Sequence, residues 1–334
     1  MATVVDSFLR DQLLDRRNRL EQAAATAGHS HQVRNLIYEV DQALARMDGG
    51  SYGLCEVCRE PIEAERLLSD PLCRFCLEHL TSGQQRALEN DLELAARVQK
   101  SLLPKPHLHF RGWEVSYHYE PAGLVSGDYC DLITTENGDL HFILGDVSGK
   151  GVAASLLMVH LQAMFRTLIP MGLPLRELIG RASRVFCEST LPTHYATLVC
   201  GRASASGEVE ICNAGHPPPL LLGTGEGLQV DPTGLPLGAF CDEEFATTQV
   251  RLDPGQTILL YTDGLTEARN AGGQMYGSDR LQEVALGQRG RTPRDIVDVY
   301  VKDLAAFRQN APASDDLTIM AVHRSAAGAD RMVS

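Results

Sequence analysis

The sequence predicts an α+β fold, a layered sandwich preceded by a smaller helical and metal-bound segment. Three observations carry this. Strand-like apolar runs come in groups: Trp113–Tyr119, Leu140–Leu144, Tyr195–Arg202, Glu208–Cys212 and Ile258–Tyr261. Two helical stretches, Val152–Leu168 and Leu175–Ser189, follow one another instead of alternating with single strands, which disfavours a βαβ parallel sheet. Residues 1–80 show helical periodicity and then two Cys-x-x-Cys pairs.

A chain of 334 residues is long for one compact unit, and 44% apolar residues suffice for a sizeable core. The net charge of −13 argues against direct nucleic-acid binding, which needs clustered Lys and Arg. The opening MATVVDSFLRDQLLDRR lacks the apolar core of a signal peptide. No run is expected to reach the roughly 18–20 apolar residues that cross a bilayer, so a cytoplasmic protein without a membrane partner is expected. Of nine cysteines, Cys130, Cys187, Cys200, Cys212 and Cys241 stand singly and are expected to be reduced core residues.

Leu9, Leu13 and Leu20 recur at helical spacing up to Ala27, Gly28-His29-Ser30-His31 interrupts, and Leu36, Val40, Leu44 and Met47 resume until Gly49-Gly50. The expectation is an antiparallel helical hairpin over 1–50. His29 and His31 at its tip are expected to be solvated. Over 51–80, Cys55-x-x-Cys58 and Cys73-x-x-Cys76 are separated by fourteen residues. Each pair aims two thiolates at one point, and four thiolates satisfy a tetrahedral Zn2+ with no open position, a structural site. The wording YGLCEVCREPIEAERLLSDPLCRFC resembles the zinc-finger module of the DksA/TraR family. That resemblance implies a contact with RNA polymerase, although AGHSH at the tip lacks the acidic residues the family uses there.

A further amphipathic helix is expected over 81–105, through Leu88, Leu92, Ala95, Val98 and Leu102, stopped by Pro104 and Pro106. LAARVQKSLLP resembles the linker that precedes the catalytic domain in RsbU-like and SpoIIE-like phosphatases, which implies a homodimer through this helix.

The remaining domain, 106–325, carries four acidic stations. SGDYCDL brings Asp128 and Asp131; LHFILGDVSGKG brings Asp146; QTILLYTDGLTEA brings Asp263; SDDLTIMAVH brings Asp315 and Asp316. Asp128, Asp146, Asp263 and Asp315 or Asp316 lie at borders of β segments. Carboxylates gathered at one sheet edge repel one another unless hard cations neutralise them, and oxygen-only ligation suits two Mn2+ or Mg2+ ions. GDVSGKG is not a nucleotide-binding P-loop, because only three residues separate Gly145 from Gly149-Lys150 and Gly151 follows the lysine.

SGDYCD, LGDVSGKG, NAGHPPPLL, YTDGLTEARN and DDLT resemble, in order, the motifs of metal-dependent PPM-type Ser/Thr phosphatases of the RsbU/SpoIIE branch. The resemblance implies an α-β-β-α sandwich with a dinuclear centre. Asp146 would bridge both ions, Asp128 and the Val147 carbonyl would complete one site, and Asp263 with Asp315 the other. Asp316 is the alternative to Asp315. It also implies a phosphoprotein substrate, a STAS-domain anti-sigma-factor antagonist. Asp131 is either a weak third ion's ligand or a solvated surface residue, and Cys130 stands where an aromatic residue is usual. His216 is either an acid toward the leaving group or a loop-shaping residue. Residues 326–334 are expected to be a disordered tail. The alternative reading is a zinc-finger transcription regulator that binds RNA polymerase, its C-terminal domain inactive or sensory.

Overall fold

The computed structural model describes residues 2–27, 31–79, 82–191, 193–223, 228–288, 290–309 and 311–325. The expected histidine tip at His29 and the expected tail fall outside them. The chain forms two compact units, Met1–Asp91 and Leu92–Ser334.

In the first unit α1 (Ala2–Ala27) and α2 (His31–Asp48) run antiparallel, as the ion pairs Arg10–Asp48 (2.8 Å) and Arg17–Asp41 (2.6 Å) show. Leu13 meets Val40 and Ala43 between the helices. One turn earlier, Leu9 packs instead on Cys55, Ile62, Leu67 and Cys76 of the cysteine segment. One apolar stripe on α1 therefore serves both the hairpin and the knuckle. The knuckle contains α3 (Ala64–Ser69) and a helical turn at Leu77–His79; α4 (Ser82–Leu102) follows.

Among the described residues, the second unit holds eleven strands. A six-stranded antiparallel sheet has the order β1 (His107–Phe110), β2 (Trp113–Glu120), β11 (Leu317–Arg324), β10 (Thr257–Tyr261), β7 (Leu220–Leu222), β8 (Leu228–Gln229). A five-stranded one has β3 (Asp128–Thr134), β4 (Leu140–Val147), β5 (Ala196–Ala203), β6 (Glu208–Ala214), β9 (Thr248–Arg251). Trp113, Phe142, Leu144, Ile258 and Met320 fill the space between the sheets. On the outer face of the five-stranded sheet lie α5 (Gly151–Leu168) and α6 (Leu175–Ser189), anchored by Leu161, Phe165 and Phe186. The other outer face is covered by α7 (Asp263–Thr266), α8 (Gly277–Leu286) and α9 (Pro293–Arg308), through Leu265, Leu281 and Tyr300. Four layers result, helix, sheet, sheet, helix. Thr292 caps α9, its hydroxyl accepting from Asp295 N at 3.2 Å.

Two sequence expectations need correction. Gly151–Met171 is long and apolar enough by length and composition to cross a bilayer. Its apolar character has a structural reason, since α5 lies on the sheet and buries Met158, Leu161 and Phe165 there. Cys187 and Cys241 are not reduced core residues but a disulfide, their Cα atoms 5.5 Å apart because the segment after β8 folds back onto the end of α6. Cys130, Cys200 and Cys212 are free and buried, as expected.

Candidate metal centre

Asp128 opens β3 and Asp146 lies one residue from the end of β4; the two are direct partners across the antiparallel ladder. Side chains at paired positions share a face, so these carboxylates face the same side. Asp263 follows β10 at the start of α7, and Asp315-Asp316 precedes β11. The two sheets meet here through hydroxyls. Asp128 Oδ2 accepts from Thr262 Oγ1 (3.1 Å) and Thr318 Oγ1 (2.6 Å). Thr318 N in turn donates to Thr262 Oγ1 at 2.9 Å. Asp128 is 1% exposed and both threonines are fully buried. Neither threonine was singled out from sequence, although each stands beside an acidic motif, in TDG and in DDLT.

The carboxylates feel one another. Burial raises the Asp128 carboxyl well above its ordinary value, and Asp146 raises it further against the Thr318 hydroxyl. Asp146 is raised to about 7, by burial first and then by Asp263, Asp315 and Asp316, with Lys150 opposing. Asp263 is raised by burial and then by Asp315. Asp128, Asp146, Asp263 and Asp315 thus form one field of concentrated negative charge.

The neighbouring acids differ in use. Both Asp316 oxygens accept backbone N–H groups, from Ala122 (2.7 Å) and Gly127 (2.8 Å), and so pin the loop between β2 and β3. Asp315 Oδ2 accepts from Lys150 Nζ at 2.9 Å, and that ammonium also reaches Ser314 O at 2.8 Å. Asp131 is neither a surface residue nor open to an ion. It is 0% exposed, and Arg166, from α5, grips both oxygens at 2.9 and 2.6 Å.

Two glycines set the close approaches. A Cβ on Gly127 would stand 3.1 Å from Val147 O and 3.4 Å from Asp146 Oδ1, so a concave spot lined by these two oxygens exists because residue 127 lacks a side chain. A Cβ on Gly264 would fall 1.9 Å from Asp316 O, which explains why glycine follows Asp263. An oxygen-only donor set around a spot of this kind fits a hard divalent cation. Cys130 lies in the core between the sheets, its thiol held protonated by burial and then by Asp131 and Asp128. His216 is buried and its pKa is pushed down to about 3 by burial, leaving a neutral ring whose Nδ1 lies 2.9 Å from Thr197 Oγ1. Its backbone N–H donates to Asn213 Oδ1 at 2.9 Å. Of its two expected roles, the geometry is that of loop shaping.

Gln99, on α4, clamps the same loop. Its Nε2 donates to Ser126 O (2.7 Å) and its Oε1 accepts from Ser126 N (2.9 Å), while Ser126 Oγ accepts from Asp128 N (3.0 Å).

In the first unit, Cys55, Cys58, Cys76 and His79 bring their ligand atoms within 4.8 Å of one another. Cys73, expected in this set, stands outside it, its Sγ accepting from Arg66 Nε at 2.9 Å. Burial raises the Cys55 thiol, but backbone N–H groups of Cys58, Cys76 and Val57 outweigh it and the net shift is downward. Cys76 is raised, by burial and then by Cys55 and Cys58 beside it. His79 was missed from sequence, although it repeats the two-residue spacing after Cys76.

Residues 136–325 match the family described as Stage II sporulation protein E (SpoIIE). The chain is 27% identical over 265 residues to Protein IcfG of Synechocystis, covering 70% of this chain and only 42% of that protein. It is 24% identical to phosphoserine phosphatase RsbU of Bacillus subtilis, over 74% of each chain. An N-terminal stretch of 53 residues is 42% identical to the RNA polymerase-binding transcription factor DksA of Caulobacter vibrioides, covering 16% of this chain and 37% of that one. Among solved structures, the SiaA-PP2C domain of Pseudomonas aeruginosa superposes with a TM-score of 0.62 at 19% identity, over 73% of this chain and 99% of that domain. That likeness shows the shared sandwich fold.

Proposed function

The chain belongs to the SpoIIE family, and on that premise we propose that it is a metal-dependent protein phosphatase acting on phosphoserine or phosphothreonine. The observation that carries this reading is the pairing of Asp128 with Asp146 across the β3–β4 ladder, in the field of Asp263 and Asp315. Asp146 would be shared by two Mn2+ or Mg2+ ions, Asp128 and the Val147 carbonyl would complete one site, and Asp263 with Asp315 the other. Asp316, with both oxygens held by backbone N–H groups, is the weaker candidate. Ions there would supply a hydroxide at neutral pH and neutralise phosphoryl oxygens.

The protein groups prepare that site. Thr262 and Thr318 orient Asp128, and Asp316 holds the loop whose Gly127 leaves Val147 O uncovered. Lys150 offsets part of the negative charge and stands ready to meet a substrate phosphate, its side chain 68% exposed. His216, buried and tied to Thr197 through Nδ1 and to Asn213 through its backbone N–H, is assigned to shaping its loop rather than to protonating the leaving alkoxide.

The substrate proposed is a phosphorylated STAS-domain anti-sigma-factor antagonist, and RsbU, similar over 74% of each chain, is itself named a phosphoserine phosphatase. A second copy of this chain is proposed to pair along α4. Leu94 (53% exposed) and Val98 (49%) lie four residues apart on it, and Gln99 next to them holds the Asp128 loop, so pairing would be felt at the site. In the first unit a structural Zn2+ is proposed among the clustered cysteines, where a small apolar cluster leaves metal binding to supply much of the folding energy.

The test is release of inorganic phosphate from a phosphoserine protein by the full chain, with Mn2+ and then without it. Release only with the metal is expected. A protein that binds Mn2+ yet hydrolyses neither that substrate nor p-nitrophenyl phosphate contradicts the reading.

A further inference from the structure

We infer that the Zn2+ of the first unit is held by Cys55, Cys58, Cys76 and His79, and that Cys73 is a free thiol beside it. The inference rests on the zinc reading above and deepens it by naming the fourth ligand.

The segment Cys73-Arg74-Phe75-Cys76-Leu77-Glu78-His79 places one donor three residues before Cys76 and another three residues after it. Either could complete a tetrahedron with Cys55, Cys58 and Cys76, and the local backbone decides between them. After Cys76 the chain makes one tight helical turn, with His79 N donating to Cys76 O at 3.0 Å. That turn folds the imidazole back, and Nδ1 comes to 3.1 Å from Cys76 Sγ. Cys58 Sγ and Cys76 Sγ are 3.8 Å apart. Zinc–sulfur bonds of roughly 2.3 Å in a tetrahedron give an edge of about that length. Cys55 and Cys76 are buried while Cys58 and His79 are half-buried, so the four donors surround one point from inside and from the rim.

Cys73 is held elsewhere. Arg66 of α3 donates Nε to its sulfur at 2.9 Å, and the sulfur lies 3.3 Å from Phe75 O as a donor. These contacts hold the Cys73 sulfur outside the cluster in which the other four donors lie within 4.8 Å of one another. Three thiolates and a neutral imidazole leave the zinc site with one net negative charge rather than two, an easier load for a small unit whose knuckle core is Leu9, Ile62 and Leu67.

Two measurements on the full chain test this. The first is the absorption of the Co2+-substituted protein, whose sulfur-to-metal charge transfer scales with the number of thiolates. The wild type is expected to show three thiolates and one nitrogen. Cys73→Ser should leave both that spectrum and the single bound zinc unchanged. His79→Ala should alter the spectrum and weaken zinc, measured against a chromophoric chelator, by at least about 100-fold, the upper end of what losing a mere outer-sphere partner costs.

The second needs no variant. Iodoacetamide applied to the zinc-loaded wild type, read by mass spectrometry, should label Cys73 without releasing zinc. A four-thiolate spectrum, protection of Cys73 by zinc, or unchanged zinc affinity in His79→Ala overturns the assignment while leaving the zinc reading intact. A wild type that binds no zinc overturns both.

Discussion

Asp146→Asn is expected to lower metal-dependent phosphate release by roughly 1,000-fold, the scale on which a principal electrostatic stabiliser is lost, and to make the metal-free protein more stable above pH 7. The two effects have one origin. Burial, then Asp263, Asp315 and Asp316, raise the Asp146 carboxyl to about 7. An unfolded aspartate titrates near roughly 3.9. A carboxyl raised in the folded state binds its proton more tightly there. Its contribution to stability is therefore complete below about pH 4 and is lost as the pH rises through about 7. The loss is on the order of 4 kcal/mol for a shift of this size. Asp128 and Asp263 are shifted the same way and add to it. Divalent ions bound there would offset the penalty by giving the charged carboxylates a partner. Urea unfolding of manganese-free protein at pH 5 and pH 8 should show the wild type losing stability across that interval and Asp146→Asn losing much less. Equal losses would show that Asp146 does not carry the strain.

Arg166→Leu is expected to destabilise the second unit by about 3–5 kcal/mol, because it leaves a buried carboxylate without its partner. Asp131 is fully enclosed, and Arg166 reaches it with two hydrogen bonds from α5. What remains is Leu132 N donating at 2.8 Å and the Tyr129 hydroxyl at 3.3 Å, too little for a full charge out of water. Adding Asp131→Asn to Arg166→Leu should recover part of the loss, since the amide carries no charge. Denaturant midpoints of the single and double variants measure this. A double variant no more stable than Arg166→Leu would mean that the guanidinium acts by packing rather than by charge. Phosphate release per folded molecule should survive in both, as Arg166 contacts none of Asp128, Asp146, Asp263 or Asp315.

The contrast between Asp131 and Asp146 shows what sequence reading can reach. Asp146, Asp263 and Asp315 sit where an apolar run meets a Gly or Asp neighbour, a local pattern that marks a strand end. Their order along the chain was legible, and so was the sandwich, because consecutive helices between strand groups leave few layered arrangements. Asp131 lies in the same motif as Asp128, but its fate depends on Arg166, 35 residues away on a helix that packs over the sheet. No spacing rule shows that contact. The Cys187–Cys241 bond spans 54 residues and is hidden for the same reason.

Short pieces escaped for another reason. β7 and β8 have three and two residues beside a proline-rich loop, too few for a period of two to register. Thr262 and Thr318 read as ordinary strand-end threonines until both hydroxyls are seen on Asp128 Oδ2. His79 was open to notice, since it extends the spacing Cys73-x-x-Cys76 by one more step. The apolar length of the Gly151–Met171 helix was underestimated from sequence. Its composition suits a bilayer, and only the sheet beneath α5 explains why those residues are apolar.

Four aspartates from two sheets are proposed to hold two hard cations around Asp146. The most direct measurement is an equilibrium count of Mn2+ bound by the full chain at pH 8, read by electron paramagnetic resonance of the free ion. Two ions per chain in the wild type, with the binding of both weakened in Asp146→Asn, is the expected result. No binding in the wild type, or two ions bound undiminished by Asp146→Asn, would contradict it.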